Sequence, residues 1–129
     1  MVNMPMKEKS KTRTRLAKSP TAIRRQMLRR ELKRWLPLLI DNLQPEKILL
    51  FGSMADKRLN EWSDIDLVII HQTSLPFYRR IKQALQLLHP KVGVDLLIYT
   101  PEEFAKLSQE RRFFRDEILD TGKVLYARA

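Results

Sequence analysis

The sequence predicts a small α/β domain in which helices cover a sheet. Three observations carry this. Apolar residues recur at helical spacing in three long segments. Short, mostly apolar runs between them read as strands, of which the second is apolar on both faces. Helices and strands alternate along the chain. The 129 residues, 43% of them hydrophobic, suit one compact domain.

Ser19-Pro20 supplies a capping hydroxyl and a proline for the first turn of a helix. Ile23, Met27 and Trp35, widened by Leu28, Leu32, Leu36 and Leu39, give it an apolar stripe to about Asn42, with Arg and Lys opposite. Pro37 is expected to kink or divide this helix. Residues 47–51 read as a first strand, ended by Gly52-Ser53, with a short helix or turn to about Leu59. Residues 64–70 form the second strand. Ser74 and Pro76 open a helix to Leu88 with Phe77, Ile81 and Leu85 on one face. Residues 92–99 form the third strand. Thr100-Pro101-Glu102-Glu103 starts a helix expected to run to about Ile118. Residues 123–126 form a short final piece, read as an edge strand.

The charge is uneven. Residues 1–34 hold 12 basic and two acidic residues, whereas residues 35–129 hold 13 of each, so the net charge of +10 sits in the first quarter of the chain. Residues 1–18 lack apolar periodicity and read as a flexible basic arm on a domain spanning 19–129. Such an arm attracts polyanions, so nucleic acid is one expected partner; a solubilising or docking tail is the competing use. With no cysteine, disulfides, thiolate catalysis and Cys-ligated zinc are excluded. No apolar run is long enough to span a bilayer, and the N-terminus lacks the apolar core of a secretory signal, so a cytoplasmic location and no membrane partner are expected.

Three carboxylates interrupt otherwise apolar strands. Asp64 and Asp66 lie two apart at the start of the second strand and so share a face; Asp95 lies inside the third. Converging carboxylates repel, and a divalent cation offsets that repulsion. Oxygen donors without cysteine favour Mg²⁺. The competing use is loop capping, or pairing with Arg79, Arg80 or Lys91. Gly52-Ser53, between a strand and a short helix, could seat a phosphate.

Phe51-Gly52-Ser53-Met54-Ala55, followed by Ser63-Asp64-Ile65-Asp66-Leu67, resembles the signature of the minimal nucleotidyltransferases, within the DNA polymerase β-like superfamily. Asp95 fits its third acidic position, and Gly-x-x-Leu-Tyr at 122–126 its closing run. The resemblance covers residues 23–126. It departs at Asp56-Lys57, where relatives commonly have Arg-Gly.

The resemblance implies a nucleotidyltransferase fold with a small mixed sheet. It implies that Asp64, Asp66 and Asp95 hold two Mg²⁺ ions, that Asp95 orients or deprotonates an acceptor hydroxyl, and that Gly52 and Ser53, helped by Lys57, grip the triphosphate of ATP. Transfer of AMP to the acceptor would release pyrophosphate. A domain of this size looks too small to bind nucleotide and acceptor alone. The resemblance therefore implies a helical partner toxin of the HEPN type, with this chain as its antitoxin, acting by binding or by modifying a tyrosine. A homodimer through the apolar helix faces is the other partner expected. A stand-alone enzyme acting on a small molecule, and a binding module that keeps the fold, are the alternative functions. Trp62, just before the acidic strand, is a candidate for stacking on a base. His71 could border the cleft. Arg79, Arg80, Arg111 and Arg112 could face phosphate or simply solvent. Trp35 and Tyr99 are expected in packing roles.

Overall fold

The computed structural model describes residues 18–56 and 58–129; Lys57 and nearly all of the expected arm lie outside them. The elements run in the expected order: α1 Pro20–Leu43, β1 Lys47–Phe51, α2 Ser53–Asp56, β2 Ile65–Ile70, α3 Phe77–Leu88, β3 Val94–Tyr99, α4 Pro101–Glu110, a π-helical segment Phe114–Asp120 and β4 Lys123–Ala127.

The four strands form one mixed sheet in the order β3-β2-β1-β4. β1 is antiparallel to both β2 and β4, whereas β2 and β3 run parallel through the α3 crossover. Strand alternation sorts side chains onto two faces. Ile48 and Leu50, Ile65, Leu67 and Ile69, and Leu96 and Ile98 meet α1 and α3, with Trp35 at the centre. Leu49, Val68 and Ile70 meet Phe114 and Ile118, with Phe104 and Leu107 of α4 alongside. Tyr99 packs here between Phe77 and Phe114, each with ring centroids 5.5 Å away. Burial of both faces explains the near-continuous apolar run of β2.

Local chemistry sets the element ends. The Ser19 hydroxyl accepts from the Ala22 N–H at the start of α1. Thr100 and Glu103 form a reciprocal capping box at the start of α4.

Three expectations are corrected. α1 is not divided at Pro37 but continues as one 24-residue helix, because Trp35 and Leu39 on either side are fully buried and hold it against the sheet. α3 begins at Phe77 with Pro76 as its cap residue; the Thr73 hydroxyl accepts from the Leu75 N–H in the preceding turn. The last helix does not run to Ile118 unbroken. Arg111 is extended (φ −116°, ψ 121°), ending α4, and a π-helical segment then carries Phe114 and Ile118 into the second core.

Candidate active site

The site forms where β1 ends and β2 and β3 begin. β2 is antiparallel to β1 and parallel to β3, so the end of β1 and the starts of the other two lie at one end of the sheet. Asp66 pairs in register with Phe51 of β1 on one side and Asp95 of β3 on the other. Asp66 and Asp95 share the strand parity of Val68 and Leu97, so both carboxylates lie on the face carrying the smaller core. Asp66 is half-buried. Its carboxyl is pushed up to about 6, first by burial, then by the charge of Asp95, a hydrogen bond with Asp95 and the charge of Asp64. The three acids predicted from sequence therefore meet electrostatically.

Gly52 adopts φ +74°, and a Cβ there would run into the Asp66 carboxylate. The turn thus brings bare backbone against the acidic pair. Gly52→Ala is expected to destabilise the fold by about 1–3 kcal/mol through backbone strain and to displace the Asp66 carboxylate. Thermal unfolding together with the pH titration of Asp66, followed by NMR, would show both effects.

Ser53 turns its hydroxyl to the Ser63 hydroxyl at 2.9 Å, and Ser63 Oγ also accepts from the Asn60 N–H at 2.9 Å. The Gly-Ser turn and the loop before β2 are therefore tied together. α2 is a single turn, too short to supply the helix terminus expected to seat an anion there.

Asp64 lies just before β2 and is bonded across the molecule. Arg24 of α1 donates from Nη2 to Asp64 Oδ1 at 3.1 Å and from Nε to the Ser63 carbonyl at 2.8 Å. A Cβ on Gly93, just before β3, would meet the Asp64 carboxylate, so this glycine allows the close approach. Arg24 is the site residue that sequence reading missed. Its only signal was a place in a run of helix arginines, and 40 residues separate it from its partner.

The donor set is oxygen only, the kind that hard cations such as Mg²⁺ take. Among the described residues, no three Asp, Glu or His side chains are gathered as a ready ion cage. Asp66 and Asp95 stand together, while Asp64 gives an oxygen to Arg24.

The remaining candidates fall elsewhere. His71 is buried at the far end of β2, five residues and about 16 Å of strand from Asp66. There it lines a separate cavity of about 940 Å³ with Asn42, Gln72, Thr73 and Glu102, and burial lowers its affinity for a proton. It does not border the acidic cleft. Arg80 faces neither phosphate nor solvent. It is buried, donating to the carbonyls of Leu75 and Ile98 and to Glu103, with the closest Glu103 contact at 2.7 Å. Arg79, Arg111 and Arg112 are exposed. Trp62 is 81% exposed in the loop that Ser63 anchors.

A family model described as "Polymerase beta, Nucleotidyltransferase" matches residues 35–129, and the chain belongs to that family. Among solved structures, it is similar to a Sulfolobus solfataricus protein whose assignment as a nucleotidyltransferase is itself provisional. The two share 13% identity with a TM-score of 0.63, over 86% of this chain and 90% of that one, which is a likeness of fold. No curated protein matches the chain. Among the described residues, no helix is long and apolar enough to cross a membrane.

Proposed function

We propose that this chain is a Mg²⁺-dependent nucleotidyltransferase that moves AMP from ATP to a hydroxyl acceptor. The observation that carries the reading is the Asp66–Asp95 pair set against the bare backbone of Gly52, with Asp64 close enough to raise the Asp66 carboxyl. In this reading Gly52 and Ser53 receive the β- and γ-phosphates, and Lys57, which follows them in sequence, is a further phosphate contact. Asp64, Asp66 and Asp95 would hold the metal. When bound, Mg²⁺ supplies neutralising charge for the phosphates and polarises the acceptor oxygen. Asp95 orients the acceptor hydroxyl and takes its proton. The new bond joins the acceptor oxygen to the α-phosphorus, the α–β phosphoanhydride bond breaks, and pyrophosphate leaves. Arg24 occupies one oxygen of Asp64, so Asp64 must give up Arg24 to contribute that oxygen to a metal.

The sequence resemblance supports a tyrosine of a HEPN-type toxin as the acceptor and an antitoxin role for this chain. A cytoplasmic setting follows from that role.

The test is titration calorimetry with ATP, with and without Mg²⁺, on the wild type and on Asp64→Asn with Asp66→Asn. Heat that depends on Mg²⁺ is expected in the wild type and absent in the double variant. A flat wild-type trace from folded protein would remove the preformed nucleotide site and leave a binding module that keeps the fold.

A further inference from the structure

α1 carries Arg24, Arg25, Arg29, Arg30, Lys33 and Arg34 within eleven residues, against a single acid, Glu31. That acid is buried and already neutralised by Arg34, at 2.9 Å. The outer surface of this stretch is therefore cationic, with Arg25, Arg29, Arg30 and Lys33 all exposed. The charge is not remote from the site. Arg30, Arg34 and Lys91 line a cavity of about 250 Å³ with Met27 and Val92. Val92 adjoins Gly93, whose backbone abuts Asp64. Arg30 is six residues, about 9 Å of helix, from Arg24, which is bonded to Asp64. Arg30, Arg34 and Lys91 thus lie on the β3 side of the carboxylates, across from the Gly52-Ser53 turn on the β1 side.

Trp62 precedes Ser63, whose carbonyl Arg24 of α1 holds at 2.8 Å. Soluble domains seldom leave an indole 81% exposed, and this one sits on a braced loop. The Trp62 backbone N–H donates to Asn60 Oδ1 at 2.8 Å, and Ser63 is fixed through its hydroxyl to Ser53 and Asn60 and through its carbonyl to Arg24. An exposed aromatic face on an anchored backbone, near a helix rich in cations, is the pairing that binds unpaired nucleic acid, by stacking one base and neutralising the backbone. Glu61 and Asp64 flank the indole with negative charge, which directs phosphates toward the helix side. A duplex hides its base faces and could use only the charge.

We propose that the cationic face of α1, with Lys91 and the exposed indole of Trp62, is a docking surface for single-stranded nucleic acid alongside the acidic cleft. The surface stands whatever hydroxyl accepts the nucleotide.

The test is fluorescence anisotropy of a labelled 15-nucleotide single-stranded RNA with the full chain, without ATP, over a range of salt. The wild type is expected to bind, with affinity falling steeply as salt rises. Arg30→Gln with Lys91→Gln should weaken binding about tenfold and flatten the log–log salt slope by about 1.4, the value for two lost single-strand contacts. Trp62→Ala should also lose about tenfold, with partial recovery in Trp62→Phe. RNA should quench Trp62 emission, an effect absent in Trp62→Phe, which retains only the buried Trp35. Wild-type affinity in all these variants would overturn the proposal and assign any binding to the basic residues before Pro20. Equal competition by duplex RNA of the same sequence would overturn the stacking role and with it the proposal. ATP titration of the Arg30→Gln, Lys91→Gln variant should be unchanged, and a failed ATP titration leaves the anisotropy result standing.

Discussion

Asp66→Asn is expected to abolish nucleotidyl transfer while making the protein more stable at neutral pH. The wild-type carboxyl is pushed up to about 6 from 3.8, so the folded state binds a proton more tightly than the unfolded chain does. The sign follows by linkage. The Asp66 contribution to stability is greatest below about pH 4, declines as pH rises toward 6, and stays at the lower level above it. An amide removes the charge and with it the decline. The gain at pH 7.5 is expected to be about 1 kcal/mol, smaller than the full shift would give because the half-buried carboxylate keeps contact with water. That corresponds to about 3 °C in Tm, and the gain should disappear at pH 4. Thermal unfolding at the two pH values, beside a transfer assay, checks both halves. A variant destabilised at pH 7.5 would mean that Asp66 serves the fold and not a ligand. Such a trade of stability for function is what an electrostatically strained site produces.

The second large effect lies away from the carboxylates. Glu31 is buried and receives both Nε and Nη2 of Arg34 at 2.9 Å, as well as the backbone N–H of Lys91 at 2.8 Å. Arg34 in turn donates to the carbonyls of Leu88 and His89 at the end of α3. One ion pair thus joins α1, the end of α3 and the approach to β3. Glu31→Ala strands the Lys91 N–H and leaves Arg34 without its counter-charge. The expected loss is about 3 kcal/mol, or about 10 °C in Tm. The Arg34 hydrogen bonds, opposed by burial and aided by the Lys91 N–H, hold the Glu31 carboxyl down to about 2. Its contribution is therefore present above about pH 4.5 and is lost as pH falls toward 2. The gap between wild type and Glu31→Ala should close over that window. A gap that persists at pH 2 would place the effect in packing rather than in charge.

The comparison of sequence with structure divides along the range of the interaction. β1, β2 and the capped starts of α1 and α4 were legible because each is written locally: apolar runs, a Ser-Pro pair, a Thr-Pro-Glu-Glu pair. The acidic residues were legible because a carboxylate within an apolar strand is costly and therefore conspicuous. Pro37 misled because local propensity opposes a helix there, and burial of Trp35 and Leu39 overrides it. Arg80 misled for a related reason. It looks like a solvated helix residue, and it is buried against a partner, Glu103, that the sequence does not announce. Arg24 is the clearest case. Nothing near it in sequence signals that it holds Asp64.

The sole parallel pairing of the sheet also has a kinetic consequence. Asp66 and Asp95 are 29 residues apart and become neighbours only when β3 has crossed over α3 to lie beside β2. The β1–β2 hairpin closes a shorter loop and carries a single member of the pair. Loop-closure entropy defers the longer pairing, and like charge defers it further. The early nucleus would then be the hairpin with α1 against it. The acidic cleft would be assembled on the downhill side of the folding barrier, where substitutions at Asp66 or Asp95 alter the rate of unfolding and leave the rate of folding almost untouched.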